Sequence, residues 1–252
     1  MATANMILHC GAREVTREEL QTVPCPPPEG RWRPVPHHTV LDYSVKALGD
    51  AGYEIEKMKL GLTRDDQRFW GTLVLKSAIV SGVSIACAVA SSLDKSCSLR
   101  FGYGHSVFVC DNGAWRVEET IARKHTTNGS LRYQEALCLA VSKIESFKQQ
   151  EAARIQALTY RDLKDAEAES LILRCYEAEI LSPRTVHTAI KEWRTPSFEE
   201  FQPRTAWSLF NAVTFAIGNR AKTNPQTHAH LTIKFGSLLS PDATAPQFAN
   251  PA

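Results

Sequence analysis

The sequence lacks most of the features that announce an activity. Its seven cysteines, Cys10, Cys25, Cys87, Cys97, Cys110, Cys138 and Cys175, include no pair at the spacing of a zinc ribbon or a redox motif, so they read as reduced, buried thiols. Neither sign of charge dominates. With 29 Lys and Arg against 27 Asp and Glu, the formal charge of +2 excludes a generally basic nucleic-acid binder and requires any basic surface to be local. No apolar run is long enough to cross a bilayer, and the first residues lack a basic stretch followed by a long apolar core. The expectation is a cytoplasmic protein without membrane contact. The pairs His9/Cys10, His37/His38 and His228/His230 each supply two metal ligands but never a full set, so no metal and no other cofactor is expected. There is no internal repeat.

What remains is a chain of 252 residues, 43% apolar and 22% charged, long enough to bury a sizeable core without staples. Prolines at 24, 26, 27, 28, 34 and 36 stiffen the N-terminal stretch into an irregular arm, with a short helix at Thr16 to Leu20. A helix is predicted from Thr39 to Gly49. Strands follow at Tyr53 to Leu60, Phe69 to Leu75, Val83 to Ser91, Ser98 to Phe101 and Ser106 to Cys110, separated by Gly, Asp, Asn and Lys clusters at hairpin spacing. Asp111-Asn112-Gly113 is a turn signal that returns the chain as a strand from Ala114 to Ile121, giving a meander of five or six strands. Val83, Ile85, Cys87 and Val89 alternate with Ser84, Ala86, Ala88 and Ala90, the pattern of a strand covered on both faces.

After Ser130 the apolar period becomes helical. Leu137, Val141, Ile144, Phe147, Ile155 and Leu158 suggest one helix of six or seven turns. Thr159 to Asp162 resembles a capping box for a second helix through Leu181, and Ser182-Pro183 caps a third through Trp193. Thr205 caps a fourth, whose stripe of Trp207, Phe210, Val213, Thr214 and Ile217 belongs in a core. Asn224-Pro225 reads as a loop. The fold class is therefore α+β, an antiparallel β-meander preceded by a helix and followed by a helical C-terminal half. Its segments are a proline-rich arm (1–38), a helix with the sheet (39–130), a helical half packed on the sheet (131–239) and a mobile tail (240–252).

The richest candidate site is Arg123-Lys124-His125-Thr126-Thr127-Asn128-Gly129-Ser130, three basic or potentially basic side chains directly before a long helix. Free amides and the helix dipole favour an anion there, and Arg123, Lys124, His125 and Arg132 would add charge, with Thr126, Asn128, Gly129 and Ser130 supplying small polar groups and close approach. The alternative is that Asn128 or Ser130 merely caps the helix while the cations point into water. A second candidate is Arg31-Trp32-Arg33, a basic, aromatic and stiff segment suited to stacking on a base or docking on a neighbouring subunit, or else an anchor folded back on the domain. Cys110 with His105 or His125 and Asp111 would be needed for nucleophilic catalysis, but a cysteine ending an apolar strand reads as a buried residue. No catalytic residue is assigned. Arg184, Lys191 and Arg194 form a solvated face, while Arg204, Arg220, Lys222 and Lys234 leave the last fifty residues mildly basic.

The order of these segments resembles a phage- and plasmid-associated bacterial family, domain of unknown function nine-three-two. The resemblance rests on Leu41 to Ile55, Phe69 to Leu75, Ser91 to Ser96 with Phe108 to Asn112, the Lys124-His125-Thr126 triplet and Trp207 to Thr214; the proline-rich arm departs from it. It implies residence on a mobile genetic element and supplies no catalytic residue. The succession of helix, antiparallel strands and long helix is also similar to phage single-strand annealing proteins, at the level of fold alone. The expected function is a non-enzymatic nucleic-acid-binding accessory of replication or recombination, with single-stranded DNA as a partner and self-assembly into a homo-oligomer. The alternative is a phage protein-interaction factor that inhibits or recruits a host protein complex such as a defence system.

Overall fold

The computed structural model describes residues 12–107, 115–223 and 225–239. The elements run β1 (Arg13–Val15), α1 (Arg17–Thr22), α2 (His37–Asp50), β2 (Ile55–Leu62), β3 (Arg68–Val80), β4 (Val83–Ser92), β5 (Leu99–Val107), β6 (Trp115–Arg123), α3 (Gly129–Ser142), α4 (Ile144–Tyr160), α5 (Asp165–Glu177), α6 (Pro183–Arg194), α7 (Ala206–Thr223) and α8 (Pro225–Leu239). All six strands pair antiparallel in chain order, so the fold is α+β with an antiparallel meander, a preceding helix and a helical C-terminal half.

Alternation builds the sheet. Leu73 pairs with Cys87 and Cys87 with Tyr103, placing these side chains on the face that also carries Ile85, Val89 and Phe101. That face packs on α2, α3 and α4 through Leu41, Leu48, Tyr133, Leu137 and Phe147, with the Tyr103 and Phe147 rings 5.4 Å apart. On the other face of β4, Ala86 and Ala90 are also buried, as the bulky-small alternation required. A second apolar cluster, centred on Ile172, Trp193, Phe210 and Phe235, holds α5 to α8 together. Trp207 packs against both clusters and stacks on Phe210 at 5.4 Å.

Several expectations need correction. The strands foreseen at Ser98 to Phe101 and from Ser106 are one strand, β5, because Gly102 and Gly104 lie opposite Ala88 and Ala86 and continue the ladder instead of breaking it. The long helix divides at Lys143, whose N–H bonds to the Ala140 carbonyl in a tightened turn. Thr159 does not start a helix; α4 runs through Tyr160, the Thr159 hydroxyl donates to the Ile155 carbonyl, and α5 begins at Asp165. Residues 161 and 163 pair instead with the backbone before α7. Pro225 opens α8, not a loop. Within the proline-rich arm, β1 adds an edge strand to β2, and Thr16 with Glu19 forms the capping box of α1. The Asp111-Asn112-Gly113 turn and the tail from Ser240 lie outside the described residues.

Two of the four histidines buried among the described residues should make the fold acid-sensitive. His37 is 1% exposed, hydrogen-bonded to Ser91 (2.8 Å) and to the Asp66 carbonyl (3.2 Å), and His228 is equally buried. Burial pushes each down to about 4 from an ordinary 6.5. The unfolded chain therefore binds more protons between those values, so stability is full above pH 6.5 and falls as the pH drops. Each histidine should account for about 2 kcal/mol lost by pH 5, before most carboxylates titrate. Urea midpoints should be level from pH 8 to 7 and decline steadily below 6.5; level midpoints down to pH 5 would contradict the assignment.

Candidate anion-binding cavity

The arm and the helix-start motif, some ninety residues apart in sequence, meet in the structure. A two-residue hairpin brings Trp32 back against Glu29, with paired hydrogen bonds of 2.9 and 3.1 Å, and Gly30 at its tip takes a φ of 56° that glycine adopts without strain. Trp32 then bridges to Thr126, the Arg33 N–H donates to the His125 carbonyl (3.0 Å), and the Val35 N–H donates to His125 Nδ1 (3.1 Å). Pro34, which has no N–H, falls between two residues that each use theirs. The arm is thereby fixed to the segment that follows β6.

The third wall is the loop between β4 and β5. Asp94 accepts from the Ser96 N–H (2.9 Å) and hydroxyl and from Arg68 Nε (2.8 Å), while Ser92 and Cys97 exchange hydrogen bonds of 2.8 and 3.1 Å. These contacts hold Lys95 in left-handed backbone, φ 66°, with its ammonium 5.0 Å from the Trp32 ring centroid and paired to Glu29.

Between these walls lies a cavity of about 360 Å³, lined by Arg31, Trp32, Lys95, Ser96, Cys97, Ser98, Lys124, His125 and Thr126. No carboxylate among the described residues lines it. A second hollow of about 550 Å³ shares Trp32 and Lys95 in its lining and also contains Glu29 and Asp94. A larger cavity of about 600 Å³, beside α4 and Trp207, has Glu200 in its wall and no basic residue. Of these three cavities, charge favours the Trp32 cavity for an anion. His125 is buried and its pKa lowered by that burial, so it is neutral near pH 7. Burial also pushes the Cys97 thiol up, which leaves it a poor nucleophile.

Of the residues foreseen at the helix start, Lys124, His125 and Thr126 line the cavity, and from the arm Arg31 and Trp32 do. Arg33 turns its guanidinium onto the Gly30 carbonyl (3.3 Å), and Arg123 onto that of Ala122 (2.9 Å). Asn128, Gly129, Ser130 and Arg132 start α3 beside the cavity without lining it. Asn128 makes no side-chain cap, and the Ser130 hydroxyl donates to Tyr43 of α2 (3.0 Å). Gly129 is needed for its bareness: a Cβ there would stand 2.1 Å from the Lys124 carbonyl oxygen. Lys95 and its neighbours were missed, because Asp94-Lys95-Ser96 reads in the sequence only as a strand separator.

The other candidates stay apart. His105 is fully buried with Nδ1 2.9 Å from Glu151, and Cys110 and Asp111 lie outside the described residues. Among the described residues no three His, Cys, Asp or Glu side chains converge, and no helix is long and apolar enough to cross a membrane. Residues 28–234 match the family model described as Domain of unknown function (DUF932), a span that takes in every residue lining the cavity. No curated protein and no solved structure matches the chain.

Proposed function

The chain belongs to the DUF932 family, a membership that carries no activity with it, and we propose that it is a non-enzymatic nucleic-acid-binding protein whose grip is the Trp32 cavity. The observation that carries this reading is the company kept there: Arg31, Lys95 and Lys124 line the cavity with one indole, and no acidic side chain among the described residues is in its wall. Lys and Arg neutralise phosphates and release counterions, while a tryptophan offers a face or an edge to a nucleotide. An overall charge of +2 leaves the rest of the surface little general attraction, so binding depends on this spot. In this role the protein serves replication or recombination of a phage or plasmid in the cytoplasm, holding single-stranded DNA without cutting it.

Arg31 and Lys124 are exposed and make no ion pair among the described residues, so replacing both by Ala leaves the fold alone. The double variant should bind a single-stranded oligonucleotide at least tenfold more weakly at low salt. Its plot of log affinity against log salt should lose about 1.4 units of slope, at ~0.7 per phosphate contact. An unchanged slope would remove the cavity from the interface.

A second reading, a factor that docks on a host protein, draws on exposed apolar side chains: Leu131 and Leu139 on α3, and Leu173 with Tyr176 one turn apart on α5. Capture of one host protein, insensitive to nuclease and abolished by Leu173→Ser with Tyr176→Ser, would favour it over the first.

A further inference from the structure

We infer that the Trp32 cavity is a receptor for a phosphate monoester, whose oxygens take two N–H donors that the described residues leave unanswered; the inference rests on the nucleic-acid reading above. Trp32 Nε1 and His125 Nε2 are both buried and both without a hydrogen-bond partner among the described residues. Both side chains line the same cavity, with their ring centroids 6.5 Å apart. An indole nitrogen can only donate. His125 is 4% exposed, and its Nδ1 is committed as acceptor to the Val35 N–H, so the neutral ring carries its proton on Nε2. The cavity wall therefore contains two buried donors, which a ligand rich in acceptors would satisfy.

A buried donor left unpaired destabilises the fold, and a bound oxyanion would satisfy both. Charge points the same way. Arg31 and Lys124 add two cations with no ion-pair partner among the described residues, and Lys95, paired to Glu29, stands over the indole. A diester in a continuous backbone has two oxygens tied to the chain and tracks along a surface. A monoester has one tether, three free oxygens and nearly two negative charges, so it can enter end-on and reach donors below the surface. The volume, about 360 Å³, is at the lower end for small-molecule pockets and accepts a phosphoryl group with its sugar. Two sources share this chemistry, the phosphorylated end of a strand and a free nucleotide.

The test is fluorescence anisotropy on the full chain, using one labelled single strand with a 5′-phosphate, a 3′-phosphate or only hydroxyl ends, and competing with inorganic phosphate and with a mononucleotide. A strand carrying a terminal phosphate should bind at least tenfold more tightly than the hydroxyl-ended strand. Trp32→Phe keeps a six-membered aromatic ring and deletes the pyrrole with its N–H. His125→Asn keeps an acceptor for Val35 and deletes the Nε2 donor. Each should reduce the ratio of phosphorylated to hydroxyl-ended affinity about tenfold, as expected for one hydrogen bond to a charged group. Equal affinity for all three strands overturns the monoester receptor and leaves nucleic-acid binding standing. Tight, Trp32-dependent binding of the mononucleotide with no affinity for any strand supports the receptor and overturns the nucleic-acid reading. A ratio unaffected in both variants overturns the assignment of the two donors.

Discussion

Gly129→Ala should destabilise the protein by about 2–3 kcal/mol, although alanine is the better helix former by about 1 kcal/mol. The two effects have opposite sign, which makes the substitution informative. Gly129 is the first residue of α3, and its φ is not in the left-handed region, so backbone conformation alone would favour alanine. Contact decides otherwise. The new Cβ would lie 2.1 Å from the Lys124 carbonyl oxygen and 3.2 Å from Thr126 Oγ1, and the first of these is backbone that cannot rotate away. Relief requires the segment from Lys124 to Thr126 to shift from the start of α3. That segment holds the arm through the His125 carbonyl and Nδ1, so the cavity should open as the strain is relieved. A melting temperature lower by about 4–12 °C is expected from the size of the chain, together with lost discrimination between phosphorylated and hydroxyl-ended strands. A melting temperature equal to or above that of the parent would show that α3 does not press on this segment.

Glu151→Ala should cost about 3–5 kcal/mol, the usual penalty for stripping one partner from a buried ion pair. Glu151 lies on α4 and is 3% exposed. It accepts from Arg154 Nε (3.0 Å to each oxygen) and Nη2 (2.5 Å), and His105 Nδ1 of β5 stands 2.9 Å away. Burial alone would raise its pKa, but the hydrogen bonds from His105 and Arg154 outweigh that and hold it well below the ordinary carboxylate range. The stability it contributes is thus present above the unfolded value of 4.5 and is lost only as the pH falls far below it. Without Glu151, the Arg154 guanidinium would remain over the Phe210 ring, 5.3 Å from its centroid, with no counter-charge among its described contacts. The charge, more than the packing, is at stake, so Glu151→Met combined with Arg154→Leu should recover most of the loss. Chemical denaturation of the single and double variants measures this directly. A double variant as unstable as Glu151→Ala would show that the site depends on shape instead.

Local chemistry made much of the fold legible. Ser182-Pro183 caps α6 where expected, and Thr205 Oγ1 accepts the Ser208 N–H at the start of α7, since such signals act within one turn. Phe210, Val213, Thr214 and Ile217 are buried as their spacing implied. Errors arose where tertiary contact overrides local pattern. The glycines of β5 are accommodated by alanines on the neighbouring strand, and nothing local to Lys143 marks the tightened turn between α3 and α4. The site was half legible for the same reason. Arg31 with Trp32, and Lys124 with His125, each stood out by composition, but their pairing depends on hydrogen bonds across ninety residues that no period or motif encodes. Lys95 enters only because Asp94 folds its loop toward the indole, a conformation hidden in three polar residues.

The most direct measurement is a titration of the ¹⁵N-labelled chain with a 5′-phosphorylated single strand, following the indole N–H resonances of its five tryptophans. Trp32→Phe assigns the resonance of Trp32 by deletion. That N–H has no acceptor among the described residues, so a phosphate oxygen should move its proton signal downfield in a saturable way, by more than any other indole. A Trp32 resonance that stays in place while the strand is fully bound would contradict the account.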